Sequence, residues 1–307
     1  MAVDGDLKSR LPYPFNEDLA PVLHRLNRRT ERGRRQLAND PVTAAYLAAA
    51  LRLVERHLGP RGDQSAGGSE IREKAPGERA FFAFLSQRSV AAEVAGNPDP
   101  FPRRGSVSTL RTSWRTQSDF LADLLGFVLW TGYYPASYTG LWDGAAEQLA
   151  EADDFARAIQ EVAYAATAHL LAMVTFRIQL AASIGAQDDA AVRAVLAAKY
   201  ERGQAIWSGI YTRMITGRGL QLREGVSIGE LADILTALVE GCALRAMAEG
   251  PETRIVDAAG NRSLLGKAAM AIIRGCMEPK GAQDGLSLAE SVNAMAATQR
   301  ASPDSAA

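Results

Sequence analysis

The sequence predicts an all-α protein, and three observations lead to that class. Apolar residues recur with the helical period along most of the chain. No run alternates with period two for long, and no Asn-Gly or Asp-Gly pair joins two β-branched runs. Clusters of Gly and Pro cut the periodic stretches into pieces of helix length.

Taken in order, residues 1–40 read as a polar extension carrying Arg25, Arg28, Arg29, Arg32, Arg34 and Arg35 against Glu31 alone. The first clear helix covers 42–58. Asp40 can cap it, Pro41 suits its first turn, and Gly59-Pro60 ends it. The stretch 59–77, rich in Gly, Ser and charge, reads as a flexible insertion. Helix resumes over 79–95, and the three prolines between Gly96 and Pro102 exclude helix there. A short helix begins near Ser106, and a longer one covers 117–130. Gly132-Tyr133-Tyr134-Pro135 and Tyr138-Thr139-Gly140 mark a loop. Long helices are expected over 145–182, as one helix or a broken one, and over 190–216, 228–249 and 263–277, with a polar, disordered tail over 281–307.

The bulk properties narrow the function classes. With 307 residues and 47% hydrophobic composition, the chain can bury a sizeable core. The net charge is -1, but residues 1–130 hold nineteen Lys or Arg against fifteen Asp or Glu, and the remainder holds fifteen against twenty. A basic end and an acidic end suit a molecule that meets phosphate at one end only. Cys242 and Cys276 lack metal spacing and read as small core residues of a reducing compartment. The N-terminus has no basic and apolar leader, and the apolar stretch 164–184 is interrupted by His169, Arg177 and Gln179. A cytoplasmic protein with no membrane partner is therefore expected.

The C-terminal half resembles the TetR family of transcriptional regulators. The resemblance rests on the amphipathic helix from Tyr200-Glu201-Arg202 to Gly217-Arg218-Gly219-Leu220, then Val226-Ser227-Ile228-Gly229-Glu230-Leu231-Ala232 and the apolar run that follows. Toward the N-terminus, Ser89-Val90-Ala91-Ala92-Glu93-Val94-Ala95-Gly96 resembles the family's supporting helix. Ser106-Val107-Ser108-Thr109-Leu110-Arg111-Thr112-Ser113-Trp114 resembles its recognition helix, and Thr116-Gln117-Ser118-Asp119-Phe120-Leu121 the capped start of the next. The chain departs from the family in its wide turn at 96–105, in Arg111 where an aromatic is usual, and in Gln117 where a lysine is usual. The insertion at 59–77 has no usual counterpart.

The resemblance implies a helix-turn-helix-like DNA-binding domain over 41–130, followed by a helical ligand-binding and dimerisation domain over 131–280. It implies a homodimer through the last two helices, with Leu231, Leu235, Leu238, Val239, Cys242, Leu265, Ala268 and Ile272 at the interface, alongside Ile234, Leu264 and Ile273. If 106–113 is a recognition helix, Thr109, Arg111 and Thr112 can reach base edges in the major groove. Ser106 would cap that helix, and Arg103, Arg104 and Arg115 would meet phosphates. The 25–35 stretch could be a further DNA-tracking arm. The plainer reading is a solvated arginine loop around an ordinary short helix.

Trp142, Tyr164, His169, Met173, Phe176, Trp207 and Tyr211 supply the apolar area and polar tips that a pocket for an apolar or aromatic ligand needs. Each can equally be core. Enzyme chemistry finds no footing. Asp153-Asp154 has Arg157 and Asp188-Asp189 has Val192 where a third magnesium-binding carboxylate would stand, and helix capping explains both pairs. Neither His57 nor His169 has a glutamate three residues before it, as a di-iron bundle requires. Gly217-Arg218-Gly219 follows no strand. No cofactor or metal is expected. The sequence thus points to a ligand-responsive, DNA-binding repressor. The alternative is a TetR-like ligand-binding protein or co-regulator that has lost operator binding and acts through protein contacts.

Overall fold

A computed structural model of the chain describes residues 7–59, 83–130, 136–185, 190–250, 254–281 and 286–300. The insertion beyond Gly59 and the aromatics Tyr133 and Tyr134 lie outside these residues. The described chain is mostly helical. It forms two compact units, one of Met1–Pro135 with Met173–Lys199, the other of Ala136–Ala172 with Tyr200–Ala307.

The first unit is organised around α2, Pro41–Leu58, which follows α1, Glu31–Ala38. Asp40 caps α2 with its carboxylate on the Val42 N–H, and Pro41 stands in the first turn. The sequence of α2 is almost wholly apolar up to Leu51, and every residue from Thr43 to Leu51 is buried. Against it pack α3, Gln87–Glu93, and α4, Val107–Ser113, and then α8, Val174–Gly185. Helix α5, Gln117–Val128, packs on α8. A capping box starts α5: Thr116 accepts the Asp119 N–H while the Asp119 carboxylate accepts the Thr116 N–H.

Residues 7–40 are no polar extension. Leu11, Phe15, Leu19, Val22, Leu23 and Leu26 are buried in the same core, with the Phe15 ring 5.0 Å from Phe101 and 5.2 Å from Phe127. A charge count hid this, because one apolar residue every three or four positions is enough to seat an irregular segment on a core. Residues 173–199, which the sequence assigned to the C-terminal half, pack with the first unit. The expected helix over 145–182 breaks at Ala152–Asp154 and again at Met173, where no Gly or Pro marks the change.

The second unit holds α6, Ala136–Glu151, and α7, Phe155–Ala172. To these it adds the later part of α9 (Ala190–Gly217), α10, Ile228–Glu249, and α11, Leu264–Cys276. Helix α7 is its centre and packs on α6, α10 and α11. Strand β1, Leu220–Leu222, pairs antiparallel with β4, Met277–Pro279, and so ties the end of α9 to the end of α11. Beside that ladder a half-buried Arg223–Glu278 pair closes at 3.1 Å. A second two-residue ladder joins β2, Val256–Asp257, to β3, Arg262–Ser263, ahead of α11. Arg218 donates to the carbonyls of Leu149 and Ala152 while its guanidinium lies 4.2 Å over the Phe155 ring, which joins α6 to α7.

Two expectations change here. The loop expected at 132–140 is already helix from Ala136, since Pro135 is as suited to a helix start as to a loop. The tail expected to be disordered contains α12, Leu288–Arg300, started by Ser287 and Glu290 in reciprocal hydrogen bonds. Asp154 caps α7 through the Arg157 N–H at 2.9 Å, the structural role expected of that acidic pair. Asp188-Asp189 lies outside the described residues. No single helix among the described residues is long and apolar enough to cross a membrane.

The tightest helix approach is at Gly266, where a Cβ would overlap the Gln160 carboxamide of α7. Replacing Gly266 with Ala should cost about 1–3 kcal/mol, the usual cost of overpacking a close-packed contact. Chemical denaturation measures it; an unchanged midpoint would mean that Gln160 swings away freely.

Candidate functional site

Helix α4 is held at both ends and from beneath. Its N-cap Ser106 accepts the Thr109 N–H, and the Tyr46 hydroxyl of α2 both donates to the Ser106 carbonyl at 2.9 Å and accepts its N–H at 3.0 Å. Tyr46 is fully buried, so that hydroxyl is a polar pin inside an apolar wall. The wide turn before α4 is built, not loose. Asn97, 2% exposed, donates to the carbonyls of Ala45 and Pro102 and accepts from Arg52. Arg52 and Arg56 together grip Glu93 at the end of α3. Burial opposes ionisation there, yet the hydrogen bonds from the two arginines hold the Glu93 carboxyl below its usual range. Gly105 lies directly on the buried Val94 side chain, where a Cβ would come within 2.9 Å.

The outer face of α4 carries the residues that sequence singled out. Ser106, Arg111 and Thr112 are exposed and Thr109 is half-buried, while Leu110 and Trp114 point into the core. The hydroxyls of Ser106, Ser108 and Thr109 form a chain of 2.8 Å contacts. Arg103, Arg104 and Arg115 flank the helix, all exposed. Two of the arginines are partly committed. Arg103 donates to the Asn97 carbonyl and pairs with Asp99, and Arg111 Nε donates to Gln87 at 2.9 Å. Gln117 turns inward and donates to the Leu85 carbonyl at 2.6 Å.

The far end of α4 is bound by the N-terminal segment, which sequence reading missed. The Asn27 N–H donates to the Ser113 carbonyl at 2.7 Å, and Arg28 donates to the Thr112 carbonyl at 3.0 Å. Asp123 of α5, 2% exposed, anchors that crossing: it accepts the His24 N–H at 2.8 Å, the Arg25 N–H at 2.9 Å and Trp114 Nε1 at 2.8 Å. Burial pushes its carboxyl up to about 6, against the opposing pull of these hydrogen bonds.

In the second unit an apolar cavity of about 50 Å³ lies between α6, α7, α9, α10 and α11. Ile159, Val162, Met214 and Ala269 wall it, with Trp207, Tyr211 and Thr236 supplying polar tips. Of the seven residues expected to line a pocket, Trp207 and Tyr211 do so. Trp142 and His169 continue from them as a row of rings, Trp207 to Tyr211 at 5.6 Å, Trp142 to Trp207 at 4.7 Å and His169 to Trp142 at 6.0 Å. Burial alone raises the Tyr211 phenol and lowers the His169 imidazolium. Tyr164 is not in the wall, and Met173 and Phe176 belong to the other unit. Aromatic content cannot tell which helix face a ring takes.

The surface expected to pair subunits is also redistributed. Leu231, Leu235, Cys242, Leu265 and Ile273 are buried within the chain's own core, and Leu235, Val239, Leu265 and Ile273 line the cavity. Leu238, Ala268 and Ile272 are half-buried. The face of α10 turned to solvent carries Ile234, Ala237, Gly241, Leu244 and Ala248, spaced three and four apart. Leu264 and Ala271 are exposed on α11. Three of these large residues, Ile234, Leu244 and Leu264, are 40–50% exposed. Large apolar residues went to the subunit core, and the sequence signal for the outer face is the small-residue spacing between Ile234 and Ala248.

No family model, curated protein or solved structure matches this chain. Any functional reading therefore rests on the residues themselves. Among the described residues, no group of three His, Cys, Asp or Glu side chains converges to hold a metal.

The Asp123 anchor has a pH signature. Its value in the folded state lies above the ordinary 3.8, so folding favours the protonated acid. The stability it contributes is greatest below about pH 4 and is lost as pH rises to about 6. The difference in unfolding free energy between the natural chain and an Asp123→Asn variant should shrink by about 3 kcal/mol over that window. Denaturant titrations at several pH values test this, and a pH-independent difference would contradict it.

Proposed function

We propose that this chain is a ligand-responsive, homodimeric DNA-binding transcriptional regulator, acting as a repressor. The observation that carries the reading is the presentation of α4. A seven-residue helix of hydroxyl and arginine residues faces outward, and Tyr46, Asn97 and the Asn27–Ser113 bond brace it on three sides. A surface meant only to be soluble has no need of such bracing. A helix that reads base edges does, because discrimination between bases depends on side chains held in register with the groove.

The roles follow from reach and charge. Thr109, Arg111 and Thr112 read bases, and Arg104 and Arg115 meet phosphates and release counterions. Arg103, partly neutralised by Asp99, contributes less. A second copy docks on the Ile234–Leu244 face of α10 and the exposed side of α11, bringing two α4 helices to successive half-sites about 34–36 Å apart. The cavity is one helix away from that face: Leu235 and Val239 line it from the inner side of α10. At about 50 Å³ it is smaller than the roughly 150 Å³ cavity that admits a benzene ring. An apolar or aromatic ligand thus enters by pushing α10 or α11 outward, which alters subunit pairing only to the extent that the two states differ in affinity for it. The co-regulator alternative draws on the inward turn of Gln117 and the tether of Arg111 to Gln87, which remove groups from the DNA-facing surface.

Footprinting on the DNA upstream of the chain's own coding region tests the whole reading. On a protected site, Arg111→Ala should cost about 1–3 kcal/mol and relax one base position. Arg104→Ala should weaken all sequences alike and reduce the salt slope by about one. No protection and no affinity for duplex DNA would favour the co-regulator.

Light scattering should find a dimer at micromolar concentration, and Leu244→Glu should yield a folded monomer, since a charge there meets solvent in one subunit but a desolvated seam in two. A natural chain that is monomeric would overturn the pairing.

A further inference from the structure

We infer that the segment from His24 to Arg29 is a rigid second phosphate-binding edge at the C-terminal end of α4, taking the sugar–phosphate backbone of the same double-stranded DNA. This rests on the DNA-binding reading above and extends it to residues outside α4 and its flanks. The segment is basic: between residues 24 and 35 six arginines face one glutamate. A free arm would be held by nothing, but this segment is held throughout. Val22, Leu23 and Leu26 are buried in the core, and the Asp123 carboxylate takes the amides of His24 and Arg25. Asn27 donates to Ser113, and the Arg28 guanidinium bridges the Asn27 and Thr112 carbonyls.

The bonding sorts the arginines into two roles. Arg28 is spent on the Thr112 carbonyl in the last turn of α4, where a cation is favoured by the helix dipole, and on the Asn27 carbonyl. Arg25 and Arg29, both exposed, stand two residues on either side of Asn27, so their Cα atoms lie within about 8 Å of its Cα. Arg115, also exposed, follows Ser113 by two residues. Three exposed arginines therefore branch from within two residues of the Asn27–Ser113 bond that closes the C-terminal end of α4. Of the carboxylates nearby, Asp123 is buried on its three N–H donors, Asp119 closes the α5 capping box and Asp18 pairs with Arg35, which leaves the exposed Glu31 as one counter-charge against the arginines. Cations carried on a backbone already fixed at His24, Arg25 and Asn27 lose less chain entropy on meeting a phosphate backbone than a free arm would, which makes this a contact of the folded protein and not a tail that folds on binding.

The test uses the full chain and a random-sequence duplex, with binding followed by fluorescence anisotropy as salt is raised. The Arg25→Ala/Arg29→Ala double variant should reduce the slope of log affinity against log salt by about 2, close to 0.9 for each phosphate left without its arginine. Asp123→Asn, which leaves every arginine in place, should also lower the slope and should deprotect the His24 and Arg25 amides in hydrogen exchange. A normal slope in the double variant, with a reduced slope in Arg104→Ala, would overturn the edge and leave the α4 reading intact. A natural chain with no affinity for the duplex would overturn both.

Discussion

Helix α2 has almost no solvent face over most of its length, and this constrains everything built on the first unit. From Pro41 to Val54 only Val42 and Arg52 escape full burial. A helix buried on all sides satisfies its own backbone but offers its neighbours few polar partners, so loops that cross it must find theirs at particular points. Three such points exist: the Tyr46 hydroxyl, the Ala45 carbonyl and the Arg52 guanidinium. All three are used by the stretch between α3 and α4. The long, proline-rich turn therefore has one conformation, set by where α2 presents polarity, and α4 inherits its position from that turn.

The other end of α4 depends on a single carboxylate in the same way. Asp123 sits where three N–H groups from two distant parts of the chain converge, and its burial is tolerated because each of them needs an acceptor. The cost of burying it appears in its raised pKa. Its partner Trp114 ends α4 and packs edge-on against Phe120 at the start of α5, so one contact joins the N-terminal segment, α4 and α5. Both ends of α4 are thus fixed from outside, by the buried Tyr46 hydroxyl and by the segment that Asp123 anchors, and its own side chains add the Ser106 cap and the Arg111–Gln87 bond.

Much of the fold was legible because helix signals are local. Caps at Asp40, Ser106 and Thr116, and the breakers at Gly59 and 96–102, lie where the structure starts and stops its helices. Long-range pairing was not legible. Nothing in residues 7–40 announces that they cover α4, because the Asn27–Ser113 and His24–Asp123 bonds join residues 86 and 99 positions apart and use, on the N-terminal side, only backbone N–H groups that every residue but proline has. The division at Met173 is equally silent, since neither side of it differs in composition. The α12 helix was legible in Ser287-Leu288-Ala289-Glu290, a capping signature overlooked because the surrounding composition is small and polar.

The second unit shows why residue size misleads about surfaces. Reading large apolar residues as an interface assumes that the subunit core is already satisfied. Here α10 is both core and surface, and the core claims the large side chains first: Leu231 and Leu235 are buried, and Val239 lines the cavity. What is left outward is Ile234, Ala237, Gly241, Leu244 and Ala248, mostly small and spaced three and four apart. Small residues on a helix face admit a close approach of another backbone, and that spacing keeps one seam of a helix turned to one side. An outward face poor in bulk is therefore no weaker a candidate for pairing than one rich in leucine. Those outward residues lie one helix diameter from the cavity that Leu235 and Val239 line on the inner face of α10.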